Sequence, residues 1–188
     1  MTPVAVLDAC VLVPYHLANV LLTFAEADLF EPRWSERIVS EAARALAEKL
    51  GIPPEKVAKR MAAMGEAFPE AAVAGFEPLE AGLGCDPKDR HVLAAAIASG
   101  AEYVVTFNLR HFPEADCKPH GIKAVHPDAF LLELLAGGPA EAAAALEECA
   151  AGLANPPMTP GQVLSQMADA APGFSDAMRQ VIGDAARP

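Results

Sequence analysis

The segment CDPKDRHVLAAAIASGAEYVVTFN, residues 85–108, most narrows the folds open to this chain. Its first part predicts a helix, with Asp86 as N-cap, Pro87 at the first helical position and Gly100 as the stop. AEYVVTFN (101–108) follows at once as a short strand with a β-branched centre. The same alternation recurs elsewhere. VAVLD (4–8) has the length and content of a buried strand, and LANVLLTFAEADLF (17–30) then places Leu17, Leu21 and Phe24 at helical spacing. WSERIVSEAARALAEKL (34–50) predicts a second helix through Trp34, Ile38, Ala42, Ala45 and Leu46, ended by Gly51. A third starts at Pro53-Pro54 and runs through Val57, Met61 and Met64. GIKAV (121–125) predicts another strand and PDAFLLELLAG (127–137) another helix. Strands alternating with helices favour a mostly parallel central sheet with helices on both faces, an α/β architecture.

The 188 residues suit one domain, or one domain with an appendage, and 53% of them are apolar. Composition shifts after GGP (137–139) to alanine-rich helix and then NPPMTPG (155–161), so the expected division is residues 1–137 as the main domain and 138–188 as a helical C-terminal extension. Within the extension Phe174, Met178 and Val181 are spaced to dock one final helix. Asp8, Pro14, His16 and Asn19 interrupt the N-terminal apolar run, and no basic region precedes it, so neither a membrane span nor an export signal is expected. Cys10, Cys85, Cys117 and Cys149 are widely spaced, which fits reduced thiols in a cytoplasm rather than a zinc site or disulfide framework. A net charge of −11 excludes nucleic-acid binding by a bulk basic field, though not by a local basic rim.

In open parallel sheets, ligands bind at the carboxyl ends of strands near a reversal of strand order. Asp8 closes the first predicted strand and Asn108 follows YVVT in the same relation. Glu41 lies on the shoulder of the apolar stripe of the 34–50 helix, and Asp89 lies one turn before Val92 and Leu93, toward the core side of its own helix. Taken singly, Asp8 reads equally as a strand-end polar residue, Asp86 as a cap, Asp89 as a dipole partner, Glu41 as solvated surface and Asn108 as a turn residue. Oxygen donors that converge repel one another, and a hard divalent cation such as Mg²⁺ or Mn²⁺ resolves that repulsion.

Taken in order, VLDACVLVP, PRWSERIVSE and DPKDRHVLAAAIASGAEYVVTFNLRHFP resemble the PIN-domain family, which includes the toxin ribonucleases of VapC-type toxin–antitoxin pairs. The resemblance spans roughly residues 3–135. It implies a three-layer PIN-like fold, divalent-metal-dependent hydrolysis of RNA phosphodiesters, and a catalytic set of Asp8, Glu41, Asp89 and Asn108, with the metal on Asp8, Glu41 and Asp89. Asn108 departs from the family's usual fourth aspartate and removes one charge. Asp86 and Thr106 fall in supporting positions. Arg33, Arg37, Lys88, Arg90, Arg110 and His111 stand within a few residues of these ligands in sequence and are candidate RNA contacts, Arg110 and His111 in the loop after Asn108 first, then Arg90 and Lys88; surface solvation is the other reading of such residues.

Other strand-first folds fit less well. A haloacid-dehalogenase-like phosphatase requires an aspartate where Cys10 stands, a receiver domain requires a lysine after a later strand, and a dinucleotide fold requires a glycine-rich turn that DACVLVP lacks. The competing function is a PIN-like protein-interaction module with weak or no nuclease activity. If the chain is a toxin, its partner is an antitoxin over the acidic pocket. Leu29, Phe30 and Met64 would then offer either a docking surface, a homodimer interface or ordinary core.

Overall fold

The N-terminal apolar run forms β1 (Val4–Leu7), and its last three residues are sealed from solvent. In this computed structural model, which describes residues 2–154 and 156–185, the elements that follow are α1 (Ala9–Leu12), α2 (Tyr15–Glu26), β2 (Glu31–Ser35), α3 (Glu36–Glu48), α4 (Pro54–Ala67), β3 (Ala72–Val73), α5 (Glu77–Glu80) and α6 (Arg90–Ser99). The chain continues through β4 (Tyr103–Val105), α7 (Glu114–Cys117), β5 (Lys123–Val125), α8 (Pro127–Gly137), α9 (Pro139–Gly152), α10 (Pro160–Met167) and α11 (Pro172–Ala185).

The five strands form one parallel sheet in the order β3-β2-β1-β4-β5. The chain therefore builds outward from β1 on one side, then returns to build β4 and β5 on the other. The reversal falls between β1 and β4, where Leu7 pairs with Val105 and the Asp8 N–H donates to the Val105 carbonyl at 3.1 Å. Helices flank the sheet: α6 packs on β1, β2 and β4, α3 on β2, and α7 on β5. The core they enclose includes Ile38, Val92, Leu93 and Val104, none of which reaches solvent.

The chain folds into two compact units that do not divide at residue 137. The first comprises residues 3–13 and 31–125 and contains the whole sheet. The second joins residues 14–30 to the chain from His126 onward, so that α2 packs on α9, and α8 on α11. Phe24 meets Phe174 edge to face at 5.8 Å, Phe30 meets Phe130 at 5.0 Å, and the Phe174 N–H donates to Asp128 Oδ1 at 2.7 Å. Phe174 and Met178 are fully buried here. The unit draws its hydrophobic faces from helices distant in sequence, which a composition shift does not reveal. Among the described residues no helix is long and apolar enough to cross a membrane.

Local boundaries differ from expectation in three places. Trp34 and Ser35 belong to β2 and not to the following helix; Ser35 instead caps α3 by accepting from the Ile38 N–H. The helix after residue 85 starts at Arg90 with Asp89 at the N-cap position, because Asp86 accepts the Lys88 N–H and closes a turn around Pro87. α2 stops at Glu26: Asp28, at φ 57°, makes a left-handed cap in which Asp28 N–H bonds to the Ala25 carbonyl and Leu29 N–H to the Phe24 carbonyl. Phe30 and Met64, among the apolar residues open to a docking reading, are buried.

Leu93 anchors α6, the helix that begins directly after Asp89, with no exposed surface. Leu93→Ala is expected to cost about 2–5 kcal/mol, read as a lower midpoint with unchanged slope in urea unfolding.

Candidate active site

The β1–β4 pairing puts the ends of both strands side by side, and Asp8 and Thr106 meet there. Asp8 is 4% exposed, and its charge is stabilised by two donors on one oxygen. The Thr106 hydroxyl donates to Asp8 Oδ2 at 2.6 Å and the Cys10 thiol to the same atom at 3.0 Å. Cys10 Sγ accepts the Phe107 N–H at 3.3 Å, and Thr106 Oγ1 accepts the Asn108 N–H at 3.0 Å, so the β4 end and the β1 end are locked together. Burial, with the Asp8 carboxylate adding to it, pushes the Cys10 thiol up to about 12, which keeps it a donor.

α3 brings Glu41 to the same place. Its carboxyl is raised above the ordinary value, first by burial and then by the Asp8 and Asp89 charges, against the opposing pull of Arg37 and Arg44. Arg37 Nε lies 3.6 Å from Glu41 Oε1, and Arg37 Nη1 reaches Glu80 at 3.3 Å. His91, wholly enclosed, points Nε2 at Glu41 Oε1 from 3.3 Å, misaligned for a hydrogen bond, and both ring nitrogens lack a hydrogen-bond partner. Burial, reinforced by Arg37, pushes this imidazole down to about 4, so it stands neutral beneath the glutamate.

Asp89, at the start of α6, is likewise raised by burial and by the Asp8 and Asp86 charges, while His111 lowers it through a hydrogen bond. His111 Nδ1 is 2.7 Å from Asp89 Oδ2, and Arg110 Nε donates to His111 Nε2 at 3.1 Å. Asp86, Asp89 and His111 each offer a ligand atom within 4.8 Å of the others.

Of the residues expected at a site, the structure couples Asp8, Glu41 and Asp89 electrostatically, with Thr106 and the Asn108 backbone attached to the Asp8 end and Asp86 beside Asp89. Arg90 bonds the Cys85 carbonyl at 3.4 Å and Arg33 pairs with Glu31 at 2.7 Å, so these two cations are engaged within the fold. Lys88 is exposed. Sequence reasoning passed over Cys10, His91 and Arg44. The first two flank acids by two residues in sequence, and Arg44 shares a face of α3 with Arg37 and Glu41 through i, i+4, i+7 spacing.

Glu41 and Asp89, whose proton affinity is raised by burial and then by the Asp8 charge, stand with Asp8 at a strand-order reversal, and such a set of oxygen donors fits a hard divalent cation. The fold and this acidic edge define the class: residues 4–110, more than half of the chain, match the PIN domain model, and the chain belongs to the PIN-domain family. Residues 127–180 match a second model, the VapC50 C-terminal domain. A curated relative, "Putative ribonuclease VapC50" of Mycobacterium tuberculosis, is 39% identical over 107 residues, which cover 57% of this chain and 63% of that protein. The match thus spans less than two thirds of the relative. No solved structure gives a significant match.

Because Glu41 is held above its ordinary value, the folded state binds its proton more readily than the unfolded state, and stability is lost as pH rises through the folded value. In EDTA at neutral pH, Glu41→Gln is expected to unfold at a higher temperature than wild type. The gap should close as pH falls below the ordinary glutamate value of 4.5, as seen by thermal scans across pH.

Proposed function

We propose that this protein is a divalent-metal-dependent endoribonuclease, the toxin of a bacterial toxin–antitoxin pair, acting in the cytoplasm. The observation that carries the reading is the gathering of Glu41 and Asp89 around buried Asp8 at the β1–β4 reversal, where burial first and then the Asp8 charge raise the proton affinity of both, an arrangement costly without a cation. The family membership and the ribonuclease name of the relative support it.

Asp8, Glu41 and Asp89 would hold Mg²⁺ or Mn²⁺, with the Asn108 amide oxygen as a neutral auxiliary. When bound, such a cation supplies Lewis-acid charge to a scissile phosphate and makes water more acidic. The chain's own residues do the rest. Thr106 and Cys10 fix Asp8, and Arg37 partly offsets the negative field beside Glu41. Arg44, Lys88 and Arg110, exposed near the acids in sequence or space, are the proposed phosphate contacts on a chain whose net charge of −11 gives no bulk attraction. An antitoxin is the proposed protein partner, masking the acidic edge.

Asp8→Asn and Asp89→Asn should each lower Mn²⁺-dependent cleavage of a single-stranded RNA by at least about a hundredfold, on the scale of losing a main electrostatic group. Both should still fold, as judged by circular dichroism. Undiminished cleavage in both would refute the site. A wild type that gains no thermal stability from millimolar Mn²⁺ and cuts no RNA would favour the protein-interaction module.

A further inference from the structure

The metal reading names which acids face a cation, but not what aims them. Each of the two aspartates has one oxygen already committed. Asp8 Oδ2 accepts from both the Thr106 hydroxyl and the Cys10 thiol. Asp89 Oδ2 is bonded to His111 Nδ1. Among the described residues, Oδ1 of neither aspartate accepts a hydrogen bond.

His111 itself is offered as a ligand by its closeness to Asp86 and Asp89. Its hydrogen bonds argue otherwise. Nε2 accepts from Arg110 Nε at 3.1 Å, so it carries no proton, and the ring proton lies on Nδ1, where it is given to Asp89 Oδ2 at 2.7 Å. Both nitrogens are spent, one on Arg110 and one on the acid. The ring is also only a quarter exposed, with Asp89 at 18%, so water competes weakly for the bond. Cys10 plays the matching part on the other strand end: its sulfur is tied to the Phe107 N–H, which fixes the direction in which the thiol donates.

Resting on the metal reading above, we propose that Cys10 and His111 are positioning residues. Each occupies Oδ2 of one aspartate and thereby presents only Oδ1 to the cation, so that both acids bind through a single, pre-aimed oxygen. Arg110 sets the His111 tautomer and acts through it, not as a direct contact to the acid. Outer hydrogen-bond partners of this kind typically change metal affinity 10- to 100-fold.

The test is calorimetric titration of Mn²⁺ into the full chain, without RNA, for wild type, Asp8→Asn, Cys10→Ala, Cys10→Ser, His111→Ala and His111→Asn. Thermal unfolding in EDTA checks that each is folded. Serine keeps a donor toward Asp8, and the asparagine amide places a donor near the position of Nδ1. Cys10→Ala and His111→Ala are expected to weaken Mn²⁺ binding about tenfold or more, with Cys10→Ser and His111→Asn recovering most of it. If both alanine variants bind as wild type does while Asp8→Asn does not, the positioning roles are overturned and the metal site stands. Equal losses in the alanine variants and their donor-keeping counterparts also overturn them, because that pattern comes from general disturbance. A folded wild type that binds no Mn²⁺ overturns both readings together.

Discussion

The pairing of β1 with β4 is the constraint on which the rest of the first unit depends. It forces a carboxylate, Asp8, to the rim of an apolar sheet, where ionisation is tolerable only if strong donors stand ready. The same pairing supplies one of them, because the register that sets Leu7 against Val105 also sets Asp8 against Thr106. A slip in that register would separate the hydroxyl from the acid. Sheet topology and site chemistry are therefore one requirement, met across a sequence separation of 98 residues by the chain that brings Thr106 back to the first strand.

Around this pair the structure accumulates like charge instead of dispersing it. Glu41 and Asp89 arrive from two different helices, and each is held above its usual proton affinity. The surrounding groups moderate the field without abolishing it: Arg37 is shared between Glu41 and Glu80, and His91 stays neutral because it is buried. A neutral imidazole under Glu41 leaves the local charge negative where a protonated one would cancel it. The chain thus tolerates some instability at this edge, as functional sites commonly do.

Much of this was legible from sequence where a single residue carries an unambiguous local signal. Pro127 and Gly137 bound α8 as expected, Gly100 ends α6 in the left-handed conformation at φ 66°, and Asp8 lies just past its strand. Elsewhere two local signals competed. Pro32 argues against a strand and Trp34 matches helical spacing, yet β2 forms because it is sandwiched between β1 and β3. Asp86 and Asp89 both precede a helix, and only the turn closed by the Lys88 N–H decides between them. The roles of Cys10, His91 and His111 carried little local signal. Cys10 lies two residues from Asp8, but the Phe107 N–H that aims its thiol, the Glu41 carboxylate that His91 faces and the Asp89 that His111 bonds all lie at separations that periodicity does not reach.

The discontinuous second unit bears on how the protein is made. α2 is synthesised early, yet α9, the helix it packs on, is more than a hundred residues further along. At ordinary ribosomal speeds that delay is on the order of ten seconds. Throughout it, the faces of Leu17, Leu21 and Phe24 have no native partner from the C-terminal helices. For that interval the nascent chain carries an apolar helix face without its native partner, open to non-native contacts.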